Sequence, residues 1–215
     1  MYIVAGDMKV VEIGACDKIF INTSGIGRIA DKLDISIKNI KPRDKIIVTG
    51  NIGQHGLAVL ARRKGLDLGF NIKSDCAALN SLITPLLKRT DAIKFMRDPT
   101  RGGIATTLNE IAESTNLGII IEEKNIPLSA KVRVAGELLG IDPLYVANEG
   151  VALLVVEKDS AKKILNFLRR HPLGHNAREI GSITKEHKGH VVLNTVLGTQ
   201  RIVDMLTSDP LPRIC

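Results

Sequence analysis

Apolar residues along the chain alternate between short runs that favour β-strands and longer runs with helical spacing. The short runs are rich in Ile, Val and Leu, and residues such as Gly, Pro and Asp bound them. They predict strands at 45–49, 93–96, 119–121, 151–156, 179–183 and 190–193. The last two are predicted to form a hairpin with Lys188 and Gly189 at its turn.

Segments with an apolar face at spacings of three and four residues lie between these strands. They predict helices at 57–63, after Asp75, after Gly103, at 129–139 and after Asp159. Asp75 and Asp159 are the expected N-caps of their helices, and Ser129 starts the helix at 129–139. Strands that alternate with helices predict an α/β (α+β) domain over residues 37–205, in which helices cover a mixed sheet.

Residues 1–36 contain strand patterns but are too few to form a domain with its own core. Residues 8–13 alternate loosely, residues 18–22 predict a strand, and a turn at 24–27 closes the block. We therefore expect residues 1–36 to be the remnant of a first, β-rich domain.

The chain ends in a segment, residues 206–215, that carries a cysteine at its tip. Pro210 and Pro212 prevent this segment from joining a helix or a central strand. One interpretation is an incidental exposed thiol on a terminal tail. The other is a mobile nucleophile that is loaded at one place and processed at another, since a cysteine thiolate attacks carbonyl carbon well.

The formal net charge of +7 raises the question of nucleic-acid binding. The basic residues are spread along the whole chain, however, and only 3% of residues are aromatic, which argues against a base-stacking surface. No apolar run approaches the roughly 20 residues of a membrane span, so no membrane partner is expected. Cys16, Cys76 and Cys215 show no metal-binding spacing, which predicts a reduced, cytoplasmic chain without its own metal ligands.

The segment Arg97-Asp98-Pro99-Thr100-Arg101-Gly102-Gly103 joins a predicted strand to a predicted helix. The glycine pair would let backbone approach a ligand closely, and the helix N-terminus favours phosphate. Arg101 would clamp an anion, and Asp98 would order the loop or hold a metal. The alternative is a simple helix entry with Thr100 near the N-cap position.

Two further segments contain candidate catalytic residues. Glu149 directly precedes a predicted buried strand, where its carboxylate would act as a general base or be a solvated turn residue. Lys9 follows the Gly6-Asp7 turn, where it would contact phosphate or developing negative charge, or be an ordinary surface lysine.

Taken together, these segments resemble the HypE family of hydrogenase maturation proteins, which are carbamoyl dehydratases. The resemblance runs essentially from end to end. The 98–103 segment alone is similar to the wider superfamily of aminoimidazole ribonucleotide synthetase and selenophosphate synthetase. Within that superfamily, the terminal cysteine favours the HypE family. The resemblance to HypE rests on four sets of segments: Gly6-Asp7 with Lys9-Val10-Val11, Asp98 to Gly103, Pro143-Leu144-Tyr145 with Asn148-Glu149-Gly150, and Pro212-Arg213-Ile214-Cys215.

The resemblance implies hydrogenase maturation. A partner carbamoyltransferase, HypF, would place a carbamoyl group on the Cys215 thiol. ATP would phosphorylate the carbamoyl oxygen, and loss of a proton and of phosphate would leave a thiocyanate. The cyanide would pass to iron on the HypC–HypD scaffold, for assembly of the nickel–iron centre.

The resemblance also assigns site residues by position. Besides Cys215, Glu149 is similar to the family's base and Lys9 to a residue that assists the chemistry. The residues implied in nucleotide binding are Asp7, Lys9, Asp98, Arg101, Gly102 and Gly103. His55 and Asn148 are further site candidates.

The implied cofactors are ATP and magnesium. The acidic residues that hold them belong to a first domain that the resemblance places upstream of Met1, so residues 1–36 are expected to be the remnant of that ATP-binding domain and the site to be incomplete. The dimer contact of the resembling proteins lies largely in the same domain, which leaves homodimer formation by this chain open.

The chain departs from the family pattern at Met8, where the family usually has Thr, and at Gln54, where an acidic residue usually precedes the histidine. Two alternatives to a carbamoyl dehydratase therefore stay open. One is another ATP-dependent synthetase of the same superfamily. The other is a non-catalytic domain that carries the carbamoyl group or binds maturation partners.

Overall fold

The computed structural model of the chain describes residues 4–15, 19–27, 29–30 and 33–206. The chain divides into two compact units, Met1–Asp31 and Lys32–Cys215. The predicted boundaries at residues 36 and 206 stay predictions, as does the assignment of residues 1–36 to an ATP-binding domain.

The described residues of the first unit form no regular helix or strand. The strand predicted at 18–22 is wrong over its described part, where Ile19, Phe20 and Ile21 are 81%, 77% and 85% exposed. An apolar run becomes a strand only where a neighbouring strand pairs with its backbone and its side chains are buried. The described residues of this unit provide neither condition.

The second unit is built on a seven-stranded sheet with the strand order β2-β4-β1-β5-β3-β6-β7. All neighbouring strands are antiparallel except β3 and β6, which are parallel, so the predicted mixed sheet is confirmed. The strands are β1 (Lys45–Val48), β2 (Ile93–Arg97), β3 (Gly118–Glu122), β4 (Leu153–Val156), β5 (Arg178–Thr184), β6 (Val191–Asn194) and β7 (Gln200–Val203).

All six predicted strands of this unit overlap observed ones, but the predicted hairpin between the last two is wrong. β3 lies between β5 and β6, with Ile119 aligned with Ile183 on one side and with Val191 on the other. The β5–β6 connection passes close to Gly118, the first residue of β3. A Cβ on Gly118 would lie 1.8 Å from the Glu186 carbonyl oxygen. The actual hairpin joins β6 to β7, whose polar residues gave no strand signal.

Within the described residues, five α-helices accompany the sheet: α1 (Gln54–Lys64), α2 (Asn80–Leu87), α3 (Gly103–Thr115), α4 (Ala130–Leu139) and α5 (Ala161–Leu168). Ser129 starts α4 as predicted, because its hydroxyl oxygen accepts the Val132 N–H. The two predicted aspartate caps are wrong. Asp75 lies before Leu79, the residue that precedes α2, and Asp159 lies before Ser160, which precedes α5 without a side-chain cap bond.

Both faces of the sheet are buried. Successive residues of its central strands point to opposite faces and pack against different helices. In β1, Ile46 and Val48 pack in the same cluster as Leu108 of α3. Ile47 belongs to a second cluster, with Leu82 of α2 and Ile164 of α5. Helix α3 therefore covers one face of the sheet, and α2 and α5 cover the other.

No helix among the described residues has both the length and the apolar character that a membrane crossing requires.

The fully buried Leu108 supplies a test of the α3 layer. We expect Leu108→Ala to lower the free energy of unfolding by about 2–5 kcal/mol, because it leaves a cavity between α3 and the sheet. Urea unfolding followed by circular dichroism measures the change. Leu138→Ala on α4, where the side chain is 66% exposed, is the matched control. Equal effects of the two changes would contradict the proposed packing.

Candidate functional site

Three loops meet at one edge of the sheet because of the strand register. Leu153 at the start of β4 pairs with Val48 at the end of β1 and also with Arg97 at the end of β2. Because β4 runs antiparallel to both neighbours, the loop before β4 lies beside the loops after β1 and β2. The loop before β4 contains Asn148 and Glu149. The loop after β1 leads to His55, and the loop after β2 contains residues 98–102.

Asn148 joins these three loops through its side-chain amide. Its oxygen accepts the Gly53 N–H at 2.8 Å, and its Nδ2 donates to the carbonyl oxygens of Pro99 and Val146, each at 3.0 Å. Its backbone N–H also donates to the Pro99 carbonyl at 3.2 Å. The residue is fully buried, so every one of these bonds is protected from water.

Glu149 is fixed by its backbone and leaves its side chain half-buried at this edge. Its N–H donates to Asp75 Oδ1 at 3.1 Å. The neighbouring Gly150 packs against the same segment so closely that a Cβ there would lie 1.7 Å from the Asp75 carbonyl oxygen. A carboxylate on a fixed backbone and within reach of solvent is suited to accept a proton from a bound substrate.

Asp75 is a site residue that sequence reasoning assigned to a helix cap. Its second carboxylate oxygen, Oδ2, is buried and has no hydrogen-bond partner within the part of the chain that the structure describes. Burial raises the pKa of Asp75, and the negative charge of Glu149 raises it further, whereas the Glu149 N–H and the charge of His55 lower it. No local signal could reveal this role, since the contact joins residues 74 positions apart.

His55 lies in the first turn of α1 and contacts the segment that holds Asp75. Its Nδ1 is 2.8 Å from Ser74 Oγ, and either atom can be the donor depending on the imidazole tautomer. Ser74 Oγ also accepts the Cys76 N–H at 3.0 Å. A chain of contacts thus connects His55, Ser74, Asp75 and Glu149. Ser74 was not among the residues singled out from the sequence.

The 98–102 loop leads into α3, which begins at Gly103. Gly102 and Gly103 both have positive φ, at 72° and 61°. A Cβ on Gly102 would lie 2.0 Å from Thr106 Oγ1, and one on Gly103 would lie 2.4 Å from the Leu144 carbonyl oxygen. A side chain at either position would therefore collide with other atoms of the chain, so both positions require glycine. Asp98 and Arg101 are exposed at this loop.

The remaining candidates lie elsewhere in the chain. Asp7 and Lys9 belong to the first unit, where both are exposed and Asp7 Oδ1 accepts the Met8 N–H at 2.8 Å. Cys215 lies outside the described residues. In the second unit the structure brings together His55, Asn148, Glu149 and the 98–102 loop.

A family model for the C-terminal domain of AIR synthase related proteins matches residues 41–194. Among curated proteins, a hydrogenase expression/formation protein of Methanocaldococcus jannaschii is 49% identical over 99% of this chain and 62% of its own length. The carbamoyl dehydratase HypE of Cupriavidus necator is 43% identical over 99% of this chain and 61% of its own length. The chain thus spans about three fifths of the length of these relatives.

Solved structures show the same fold. A HypE structure superposes with a TM-score of 0.91 at 42% identity, covering 96% of this chain and 66% of that one. HypE in complex with ATP gives a TM-score of 0.77 at 38% identity, covering 82% and 54% of the two chains. A HypE–HypF complex gives 0.76 at 44% identity, covering 80% and 55%.

The Asn148 bonds predict a large loss of stability on a nearly isosteric change. We expect Asn148→Asp to lower the free energy of unfolding by about 3 kcal/mol, because it replaces two donated hydrogen bonds by a buried charge that faces two carbonyl oxygens. Urea unfolding measures the loss. The control is Asn71→Asp, at an exposed side chain, for which we expect a change within about 0.5 kcal/mol. A similar loss for both variants would contradict the role of Asn148.

The raised pKa of Asp75 predicts a pH dependence of stability. Because the folded pKa lies above the ordinary 3.8, the contribution of Asp75 is fully present below 3.8 and is lost as pH rises through the raised value. The unfolding free energy of the parent minus that of Asp75→Asn should therefore fall as pH rises through this range. Urea unfolding at successive pH values measures it. Asp91→Asn, which removes an exposed carboxylate, is the control. A difference that increases with pH would contradict the interpretation.

Proposed function

We propose a function for this chain from the premise that it belongs to the family of AIR synthase related proteins, whose C-terminal domain matches residues 41–194. Within that family the expected resemblance to HypE is confirmed by 43% identity to the HypE of Cupriavidus necator over 99% of this chain. The proposed function is hydrogenase maturation by ATP-dependent dehydration of a carbamoyl group on Cys215.

The observation that carries this proposal is the position of Glu149. The loops after β1 and β2 and before β4 meet there, and buried hydrogen bonds of Asn148 fix the backbone of the residue before it. The side chain of Glu149 itself reaches the surface of this edge. A base on a fixed backbone needs little reorganisation when it accepts a proton.

In the proposed reaction, the carbamoyl oxygen of the Cys215 thiocarbamate attacks the γ-phosphorus of ATP, ADP leaves, and one N–H proton passes to water. Glu149 then accepts the second proton from nitrogen while the C–O bond breaks and phosphate departs. A thiocyanate on Cys215 remains. Phosphate is a far better leaving group than oxide, which is the reason for phosphorylating the oxygen.

The nucleotide would lie at the 98–102 loop. Arg101 would contact phosphate together with backbone N–H groups at the beginning of α3. Asp98 would order the loop, and Gly102 and Gly103 would shape it. Asp7 and Lys9 are proposed as nucleotide contacts, and Lys9 as a catalytic residue, from the resemblance alone.

No described residue of this chain is proposed as a magnesium ligand. Over residues 4–15, 19–27, 29–30 and 33–206, no group of three or more His, Cys, Asp or Glu side chains is arranged to hold a metal ion.

The partners follow from the proposed chemistry. A solved HypE–HypF complex supports a carbamoyltransferase of the HypF type as the source of the carbamoyl group. A HypC–HypD scaffold would accept the cyanide. The proposed location is the cytoplasm, and residues 206–215 would act as the tail that carries Cys215.

Intact mass spectrometry tests the proposal. The chain is incubated with a HypF-type carbamoyltransferase, carbamoyl phosphate and ATP. We expect the parent to gain the mass of a carbamoyl group minus one water. We expect Glu149→Gln to keep the full carbamoyl increment and Cys215→Ser to gain no mass.

The control for Glu149→Gln is Glu113→Gln, at an exposed carboxylate on α3, which should lose water as the parent does. A full carbamoyl increment on the parent in the presence of ATP would contradict dehydration by this chain and leave it a carrier. Absence of any increment would contradict the carrier function as well.

A further inference from the structure

The layer of α2 and α5 contains a groove of about 580 Å³ that none of the candidate site residues line. Its floor is apolar and is formed by Leu86 at the end of α2 and by Ile164 and Phe167 of α5. Leu86 and Ile164 are buried in the core beneath the groove, and Phe167 is half-buried. The floor is therefore part of the folded core, which gives the groove a fixed shape.

Four cations surround this floor. Arg89 follows α2, Lys162 and Lys163 lie on the first turn of α5, and Arg170 follows its end. All four are exposed, and none forms an ion pair within the described part of the chain. Among the described residues, Asp159 is the one acidic residue that lines the groove. The groove therefore has a net charge of +3 from these side chains.

The aromatic ring of Phe167 orients one of these cations, Arg89. The Arg89 guanidinium carbon lies 5.1 Å from the centroid of the Phe167 ring, which is the geometry of a cation–π contact. This contact holds the Arg89 side chain over the apolar floor. Its planar group remains exposed and is suited to bind a carboxylate through two hydrogen bonds.

We propose that this groove binds an acidic amphipathic segment of a partner protein. Carboxylates of the segment would pair with Arg89, Lys162, Lys163 and Arg170, and one or two apolar side chains would cover the floor. Charge complementarity favours an acidic partner, and the apolar floor favours a protein segment. A free phosphate or a nucleic-acid backbone would use only the cations and leave the apolar floor uncovered.

Fluorescence anisotropy with a defined probe tests this proposal. The probe is a labelled synthetic helical peptide with two Leu residues on one face and Glu residues on both sides of them. We expect saturable binding to the full chain that weakens as salt is added. A second peptide, with Ser in place of the Leu residues, should bind at least about tenfold more weakly, since the floor would lose its apolar contacts.

The matched variants are two double charge reversals. Lys162→Glu with Lys163→Glu changes the groove, whereas Lys185→Glu with Lys188→Glu changes the β5–β6 connection by the same charge. We expect the first pair to raise the Kd for the Leu-containing peptide by about tenfold or more, and the second pair to change it by less than about twofold. Thermal unfolding followed by circular dichroism checks that both variants fold.

Several outcomes would overturn the proposal. Equal weakening by the two double variants would show attraction to the net charge of the chain instead of to the groove. Equal binding of the Leu and Ser peptides would show a site for anions only, and competition by inorganic phosphate at similar concentration would show the same. The readout is independent of Cys215 loading, so failure here would leave the proposed dehydratase function untouched.

Discussion

The buried amide of Asn148 is the interaction on which the arrangement of this site depends. A buried polar group without a hydrogen-bond partner costs free energy. In this amide, both the oxygen and the Nδ2 group form hydrogen bonds with backbone groups, and these groups belong to three loops. These hydrogen bonds hold together the loop before α1, the loop after β2 and the segment before β4. They also fix the position of Glu149, because Glu149 is the next residue along the chain.

Asp75 contributes to the same site at a cost to stability. One of its carboxylate oxygens accepts the Glu149 N–H, while the other is buried without a hydrogen-bond partner among the described residues. Burial disfavours the charged form, which is why the pKa of Asp75 is raised. Sites that hold charged groups close together are commonly less stable than a core of the same size would be. The contact between Ser74 and His55 extends this network to the start of α1.

The two faces of the sheet and its edge have different roles. The α3 face is a continuous apolar core, and the loops at the sheet edge carry the candidate chemistry. The α2 and α5 face also has an apolar core, but its outer surface forms the basic groove. None of the candidate site residues line the groove, so the candidate catalytic edge and the proposed docking groove lie on different parts of the second unit.

The sequence by itself determined six of the seven strands of the second unit, most helix positions, the mixed sheet and the family. These features depend on local periodicity and on short motifs, and both are formed by residues close together in the sequence. Only the tertiary structure decided that β3 separates β5 from β6, that Ile19 to Ile21 form no strand, and that Asp75 holds Glu149 instead of capping α2. Glu149 and Asn148 could be singled out from their motif, but the bonds of Asn148 to Gly53 and Pro99 could not. Strand pairing and buried hydrogen bonds join residues far apart in sequence, and their energies depend on which groups the whole fold removes from water.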